Sequence, residues 1–109
     1  MENLTKNNLY RDLNQQEAAL LYFFSNHCEP CLSLRPKVEE MIKVRFPKMN
    51  LIFIDAEAEP KVSAKYQVFA SPTILLFFDG RETKRFSKYI STAELEQAIQ
   101  RYYDMIFEN

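Results

Sequence analysis

The chain has 109 residues, of which 47% are hydrophobic, with nine Phe and six Tyr. This composition suits one compact domain with its own core, so we predict that residues 1–109 form a single domain. The formal charge of −1 at pH 7 gives no electrostatic reason to expect nucleic acid or an anionic membrane as a partner.

The first half of the chain alternates helical and strand patterns. A helix is predicted over about Lys6 to Gln15, and the continuous apolar run Ala18 to Phe24 predicts a buried strand. From Cys28 to about Phe46 the apolar residues recur at helical spacing, and Pro36 should kink that helix. Leu51 to Ile54 then predicts a second buried strand.

The second half predicts a short helix, two strands and a final helix. Pro60 starts the short helix, which ends near Tyr66, and Thr73 to Phe78 predicts a third buried strand. Asp79-Gly80 is a hairpin signal that leads into a fourth strand, about Glu82 to Ser87. Ser91-Thr92-Ala93-Glu94 has the pattern of a capping box and opens an amphipathic helix.

This order of elements predicts an α/β fold, with a central mixed sheet of four or five strands flanked by helices. The first three strands are apolar on both faces, so we expect them to be central in the sheet. The C-terminal β-hairpin should form an antiparallel edge, and a helix should follow it.

Cys28-Glu29-Pro30-Cys31 is the segment that carries chemistry. It holds both cysteines of the chain, and its spacing lets one cysteine form a disulfide with the other or with a partner. The segment follows an apolar strand and precedes a helical pattern, so Cys28 can lie at a helix N-terminus. There the unpaired N–H groups and the helix dipole favour a thiolate, the form that attacks disulfides. The pattern predicts a dithiol–disulfide redox protein, against the alternative of an inert or structural pair.

His27, the single histidine, suggests a metal site together with the two cysteines. Adjacent residues do not easily present both ligands to one tetrahedral ion, and the sequence shows no fourth ligand, so we expect no metal. No other cofactor is expected either, because the sulfurs themselves carry the electrons.

The sequence also bears on the compartment. Met1-Glu2-Asn3 shows no signal peptide, and the apolar runs are far too short to span a bilayer. Because both cysteines fall in one motif, their use fits a reducing cytoplasm, which is the expected localisation.

Three motifs in this order resemble the thioredoxin family, over nearly the whole chain from about Leu9 onward. Cys28-Glu29-Pro30-Cys31 resembles the family's Cys-Gly-Pro-Cys, and Pro36 lies where the family's active-site helix carries a kinking proline. Ser71-Pro72-Thr73 resembles the family segment whose proline is cis and faces the cysteines. The resemblance implies a thioredoxin-like fold.

The resemblance also implies a function. Cys28 would attack a protein disulfide and Cys31 would resolve the mixed disulfide, after which a reductase would recharge the pair. We expect a monomer that binds substrate by strand addition beside the cis-proline. The candidate substrate-binding residues are His27, Glu29, Pro30, Ser71 and Pro72.

The chain departs from the family at several positions. His27 replaces the usual Trp, Glu29 replaces Gly, and Tyr22 replaces the family's buried carboxylate. The lysine partner of that carboxylate is missing too, because Leu51 to Ile54 are all apolar. Tyr22 is either core filling or a poor base, in which case we expect slow resolution by Cys31 or a base recruited from elsewhere, such as Glu29. These departures favour one alternative function, a non-catalytic adaptor or chaperone-like binding module.

Overall fold

The computed structural model describes residues 16–107, in which a four-stranded mixed sheet is packed against helices. The strands are β1 (Ala18–Phe24), β2 (Asn50–Asp55), β3 (Thr73–Phe78) and β4 (Arg81–Ser87). The helices are α1 (Glu29–Arg45), α2 (Pro60–Lys65) and α3 (Thr92–Phe107). The six elements for which the sequence predicts both ends agree with the structure to within about two residues at each end, and α3 begins at Thr92, inside the predicted capping box. The helix predicted over Lys6 to Gln15 lies outside the described residues.

The strands run in the order β2-β1-β3-β4, with β1 parallel to β2 and the other two pairings antiparallel. The expected antiparallel edge at β4 is confirmed. The expectation that the first three strands are central is wrong for β2, which lies at one end of the sheet within residues 16–107. Its apolar residues are explained by packing, because Ile52 and Ile54 are buried on one face while Leu51 and Phe53 are half-buried on the other.

The core consists of two clusters, one on each face of the sheet, because successive side chains of a strand point to opposite faces. Leu20 and Tyr22 of β1 and Ile74 of β3 belong to the cluster that packs against α1 and α3. The other cluster packs against α2 and contains Leu21 and Leu75. Both cysteines belong to the first cluster, so the motif is anchored to the larger core.

The helix ends follow local chemistry. Cys28 is the N-cap of α1, Pro30 lies in its first turn, and Pro36 lies inside the helix, where it cannot donate a backbone hydrogen bond. At the start of α3 the Ser91 hydroxyl accepts a 3.2 Å hydrogen bond from the Glu94 N–H, as the capping box predicts. Within residues 16–107 no helix combines the length and the apolar character that a membrane span requires.

Candidate active site

The turn between β1 and α1 places both cysteines at the start of the helix. The Cys28 N–H donates to the carbonyl of Ser25 at 3.3 Å, and Cys28 then adopts the extended conformation typical of an N-cap. The structure shows the oxidised state, in which Cys28 is bonded to Cys31 and their Cα atoms are 5.3 Å apart. The predicted position at a helix N-terminus is therefore confirmed.

The helix terminus acts directly on the sulfur of Cys28. The backbone N–H of Cys31 donates to Cys28 Sγ at 3.2 Å, as an N-cap side chain accepts from the third residue of its helix. In the reduced state the same N–H and the helix dipole stabilise negative charge on this sulfur. Cys28 is also the more accessible of the pair, at 9% exposed against 3% for Cys31.

Glu29 is exposed and is the first residue of α1, next to Cys28. Its carboxylate opposes a thiolate on Cys28, since like charges disfavour each other's ionised forms. We predict that Glu29→Gly lowers the pKa of the Cys28 thiol by about half a unit. The thiolate absorbance of the reduced protein measures this pKa, and Glu29→Gln, which keeps a side chain, separates the charge from the backbone effect. An unchanged or raised pKa in both variants would contradict the prediction.

Tyr22 is fully buried in β1, and its hydroxyl donates a 2.7 Å hydrogen bond to the backbone carbonyl of Cys31. Burial raises the pKa of Tyr22 to about 12, although the positive charge of Arg35 acts in the opposite direction. At neutral pH the hydroxyl is therefore a donor and no base. Tyr22 fills the core, as one of the two sequence interpretations holds, and it also ties β1 to the first turn of α1.

Tyr22→Phe should show what this buried hydroxyl contributes to stability. At neutral pH we expect the variant to be less stable by about 1 kcal/mol, because one buried hydrogen bond is lost. The folded-state pKa of Tyr22 lies above the unfolded value of about 10, so its contribution to stability is lost as the pH rises. Relative to Tyr22→Phe, the unfolding free energy of the wild type should fall by about 1.4 kcal/mol per pH unit from pH 10 up to about pH 12. The order of stabilities should therefore reverse at about pH 11. Urea unfolding of both proteins measures this, and a constant difference up to pH 12 would contradict it.

A groove lies between Pro30, the residue before Cys31, and the loop before β3. Pro30, Ser71 and Pro72 line a depression of about 260 Å³, so the structure brings three of the five predicted substrate-binding residues together. The Ser71–Pro72 peptide bond is cis, and the carbonyl of Pro72 accepts a 2.8 Å hydrogen bond from the Lys88 N–H. Tyr89, at the same groove, is almost fully exposed.

The other two predicted binding residues are placed differently. His27 and Glu29 are exposed and adjoin Cys28 in the chain, but they are not among the described residues that line the groove. Within residues 16–107 no cluster of three His, Cys, Asp or Glu side chains is arranged to hold a metal ion.

Arg35 is a residue near the cysteines that the sequence interpretation missed. It lies four residues after Cys31 in α1, and the two side chains line the same small pocket together with Tyr22. The i, i+4 spacing from a motif cysteine is the signal in the sequence that could have found it, because such residues share one face of a helix.

Comparison with known proteins supports the sequence resemblance. The family model for thioredoxin matches residues 1–101. Thioredoxin Y1, chloroplastic, of Arabidopsis thaliana is 30% identical over 88 residues, which cover 81% of this chain and 51% of that protein. Thioredoxin-like protein YdfQ of Bacillus subtilis is 29% identical over 91 residues, which cover 84% of this chain and 80% of that protein.

The coverage of these relatives varies. The chain spans about half the length of Thioredoxin Y1 and also of Thioredoxin-2 of Pyricularia oryzae, with 51% and 48% covered. Among solved structures, Fasciola hepatica thioredoxin superimposes with a TM-score of 0.81 at 31% identity, covering 90% of this chain and 94% of that chain. On the family match and these similarities, the chain belongs to the thioredoxin family.

Proposed function

We propose that this protein is a thiol–disulfide oxidoreductase that reduces disulfides in other proteins. One observation carries the proposal: Cys28 caps α1, and its sulfur accepts a hydrogen bond from the Cys31 N–H while it is bonded to Cys31. This arrangement stabilises a thiolate on one sulfur and keeps a second thiol within bonding distance. Membership of the thioredoxin family supports the same activity.

The reaction needs two displacements at sulfur. The Cys28 thiolate attacks one sulfur of the substrate disulfide, the substrate S–S bond breaks, and its other sulfur leaves as a thiolate that takes up a proton. Cys31 then loses its proton and attacks Cys28 Sγ, which releases the remaining substrate thiolate and forms the Cys28–Cys31 disulfide. Two electrons pass from the dithiol to the substrate, and a reductase must return two electrons to the pair.

The groove at the cis peptide bond is the proposed docking site for the substrate chain. Pro30, which lies between the two cysteines in the chain, lines it together with Ser71 and Pro72, and the main chain of Ser71 would pair with an extended substrate segment. His27 and Glu29 would contact the substrate from the exposed side of Cys28.

The setting of the activity is also proposed. We infer a monomer whose residues 1–109 form one thioredoxin-like domain. Both cysteines lie in the redox motif, which fits a reducing cytoplasm where a reductase recycles the disulfide. The partner proteins would be disulfide-bearing substrates and that reductase.

Catalysed reduction of insulin by dithiothreitol tests the proposal and separates it from the adaptor alternative. Turbidity from the released insulin chain should appear much sooner with the protein present, and the Cys28→Ser, Cys31→Ser double variant should remove the effect. The adaptor alternative is favoured by Tyr22, which replaces the family's buried carboxylate. Its hydroxyl donates a hydrogen bond to the Cys31 carbonyl and, with a pKa raised to about 12, does not act as a base. A wild-type protein no faster than the double variant would favour the adaptor.

A further inference from the structure

A pocket of about 170 Å³ lies beside Cys31, between the end of β1 and α1. Its lining includes Tyr22 from β1, Ser25 and Asn26 from the turn, and Arg35 from α1. There is room for a few water molecules, since one water occupies about 30 Å³ of the liquid. Of the described residues that line this pocket, Arg35 alone carries a charge at neutral pH.

Two aromatic rings hold Arg35 at this pocket. Its guanidinium carbon lies 3.9 Å from the ring centroid of Phe53 in β2 and 5.9 Å from that of Phe24 in β1. Contacts of this kind attract a cation to the ring face, and an arginine remains protonated at any physiological pH. A fixed positive charge is therefore present near Cys31, although β2 itself supplies no basic residue.

The other ionisable groups around the pocket offset this charge only in part. Tyr22 is neutral at physiological pH because burial raises its pKa to about 12. Glu39 Oε2 lies 3.8 Å from Arg35 Nε and offsets part of this charge, since Glu39 raises the pKa of Tyr22 where Arg35 lowers it, but the effect of Arg35 is the larger of the two. Glu29, at the start of α1, is exposed to solvent.

We propose that Arg35 is a positioning residue that stabilises the thiolate of Cys31 electrostatically and so speeds the resolving step. The part of this proposal that concerns the resolving step rests on the proposed oxidoreductase function. Because Cys31 is 3% exposed, its thiolate lacks most of the hydration that stabilises a thiolate in water. A nearby positive charge compensates for part of that missing stabilisation. A unit charge about 10 Å away shifts a pKa by about one unit at an effective dielectric constant of about 20.

The test measures the pKa of Cys31 directly. In a Cys28→Ser background Cys31 is the single thiol, so the thiolate absorbance near 240 nm reports it alone once the Cys28→Ser, Cys31→Ser spectrum is subtracted to remove tyrosine. Arg35→Gln should raise this pKa by about one unit, and Arg35→Lys, which keeps the charge, should stay within about a third of a unit of the parent. Arg45→Gln, in the last turn of the same helix, is the matched control and should leave it unchanged.

The possible results separate cleanly. An unchanged pKa in Arg35→Gln, or equal shifts in the Gln and Lys variants, would overturn the proposal. Thermal unfolding of each variant shows whether a purely structural defect is present, because such a defect lowers the melting temperature without moving the pKa of a still-folded protein. Since this titration needs no turnover, the proposal can fail while insulin reduction succeeds, and insulin reduction can fail while the titration succeeds.

Discussion

Cys31→Ser is expected to trap the protein as a mixed disulfide with its substrate, whereas Cys28→Ser is expected to form almost no adduct. Cys28 is the sulfur at the helix N-terminus and the more exposed of the two, at 9% against 3%. Without Cys31 the intramolecular attack on Cys28 is lost. Well-oriented groups in one molecule have effective concentrations of about 10⁵ M or more, so resolution should slow by at least about a thousandfold.

Mass spectrometry of each variant after incubation with a disulfide-bonded peptide measures this asymmetry. The adduct on Cys31→Ser should persist until dithiothreitol is added, and the Cys28→Ser, Cys31→Ser double variant defines the background. Equal adduct yields on the two single variants would contradict the assignment of Cys28 as nucleophile, and so would rapid loss of the adduct from Cys31→Ser.

The second large effect concerns the pH dependence of resolution in the wild type. None of the described residues that line the pocket beside Cys31 is a carboxylate, and Tyr22, with its pKa raised to about 12, is no base near neutral pH. The Cys31 thiol must therefore ionise before it attacks. Below its pKa the thiolate fraction rises about tenfold per pH unit, so the mixed disulfide should decay about a hundredfold faster at pH 8 than at pH 6.

Stopped-flow measurement of this decay, in the wild type and in Glu29→Gln, tests the effect. Both proteins should show the same steep dependence on pH. Fast decay with no dependence between about pH 6 and pH 8 in both proteins would contradict the account, because it would require a base at another position. A steep profile in Glu29→Gln with a flat one in the wild type would identify Glu29 as the base and contradict ionisation without one.

The hydrophobic pattern of the sequence predicts the individual strands and helices because the buried residues of each element are the apolar ones. All six residues of β3 are buried, and the apolar run Thr73 to Phe78 marks both of its ends. The place of β2 in the sheet could not be predicted in this way. A strand covered on both faces is apolar whether it is paired on one side or on two, so its composition does not reveal its neighbours.

The sequence predicts the features of the site that depend on neighbouring residues in the chain. It does not predict the contacts between residues of different strands and helices. The position of Cys28 at a helix start follows from the strand, turn and helix patterns around it. The hydrogen bond from Tyr22 to the Cys31 carbonyl joins β1 to α1, and the packing of Arg35 over Phe53 joins α1 to β2. Such partners depend on how strands and helices are placed in space. The absence of a lysine from β2 is visible in the sequence, but it does not indicate that Arg35 of α1 brings a positive charge to the pocket beside Cys31.

A redox titration of the Cys28–Cys31 pair against glutathione or dithiothreitol buffers, with the oxidised fraction measured by mass spectrometry, shows whether the pair can serve as a protein-disulfide reductant. We expect reversible closure of the disulfide, with a reduction potential within or below the cytosolic glutathione range of roughly −220 to −320 mV. A potential well above that range would indicate an oxidase or isomerase and contradict the proposed cytoplasmic reductase. A pair that does not open and close reversibly would contradict redox function altogether and leave the adaptor alternative.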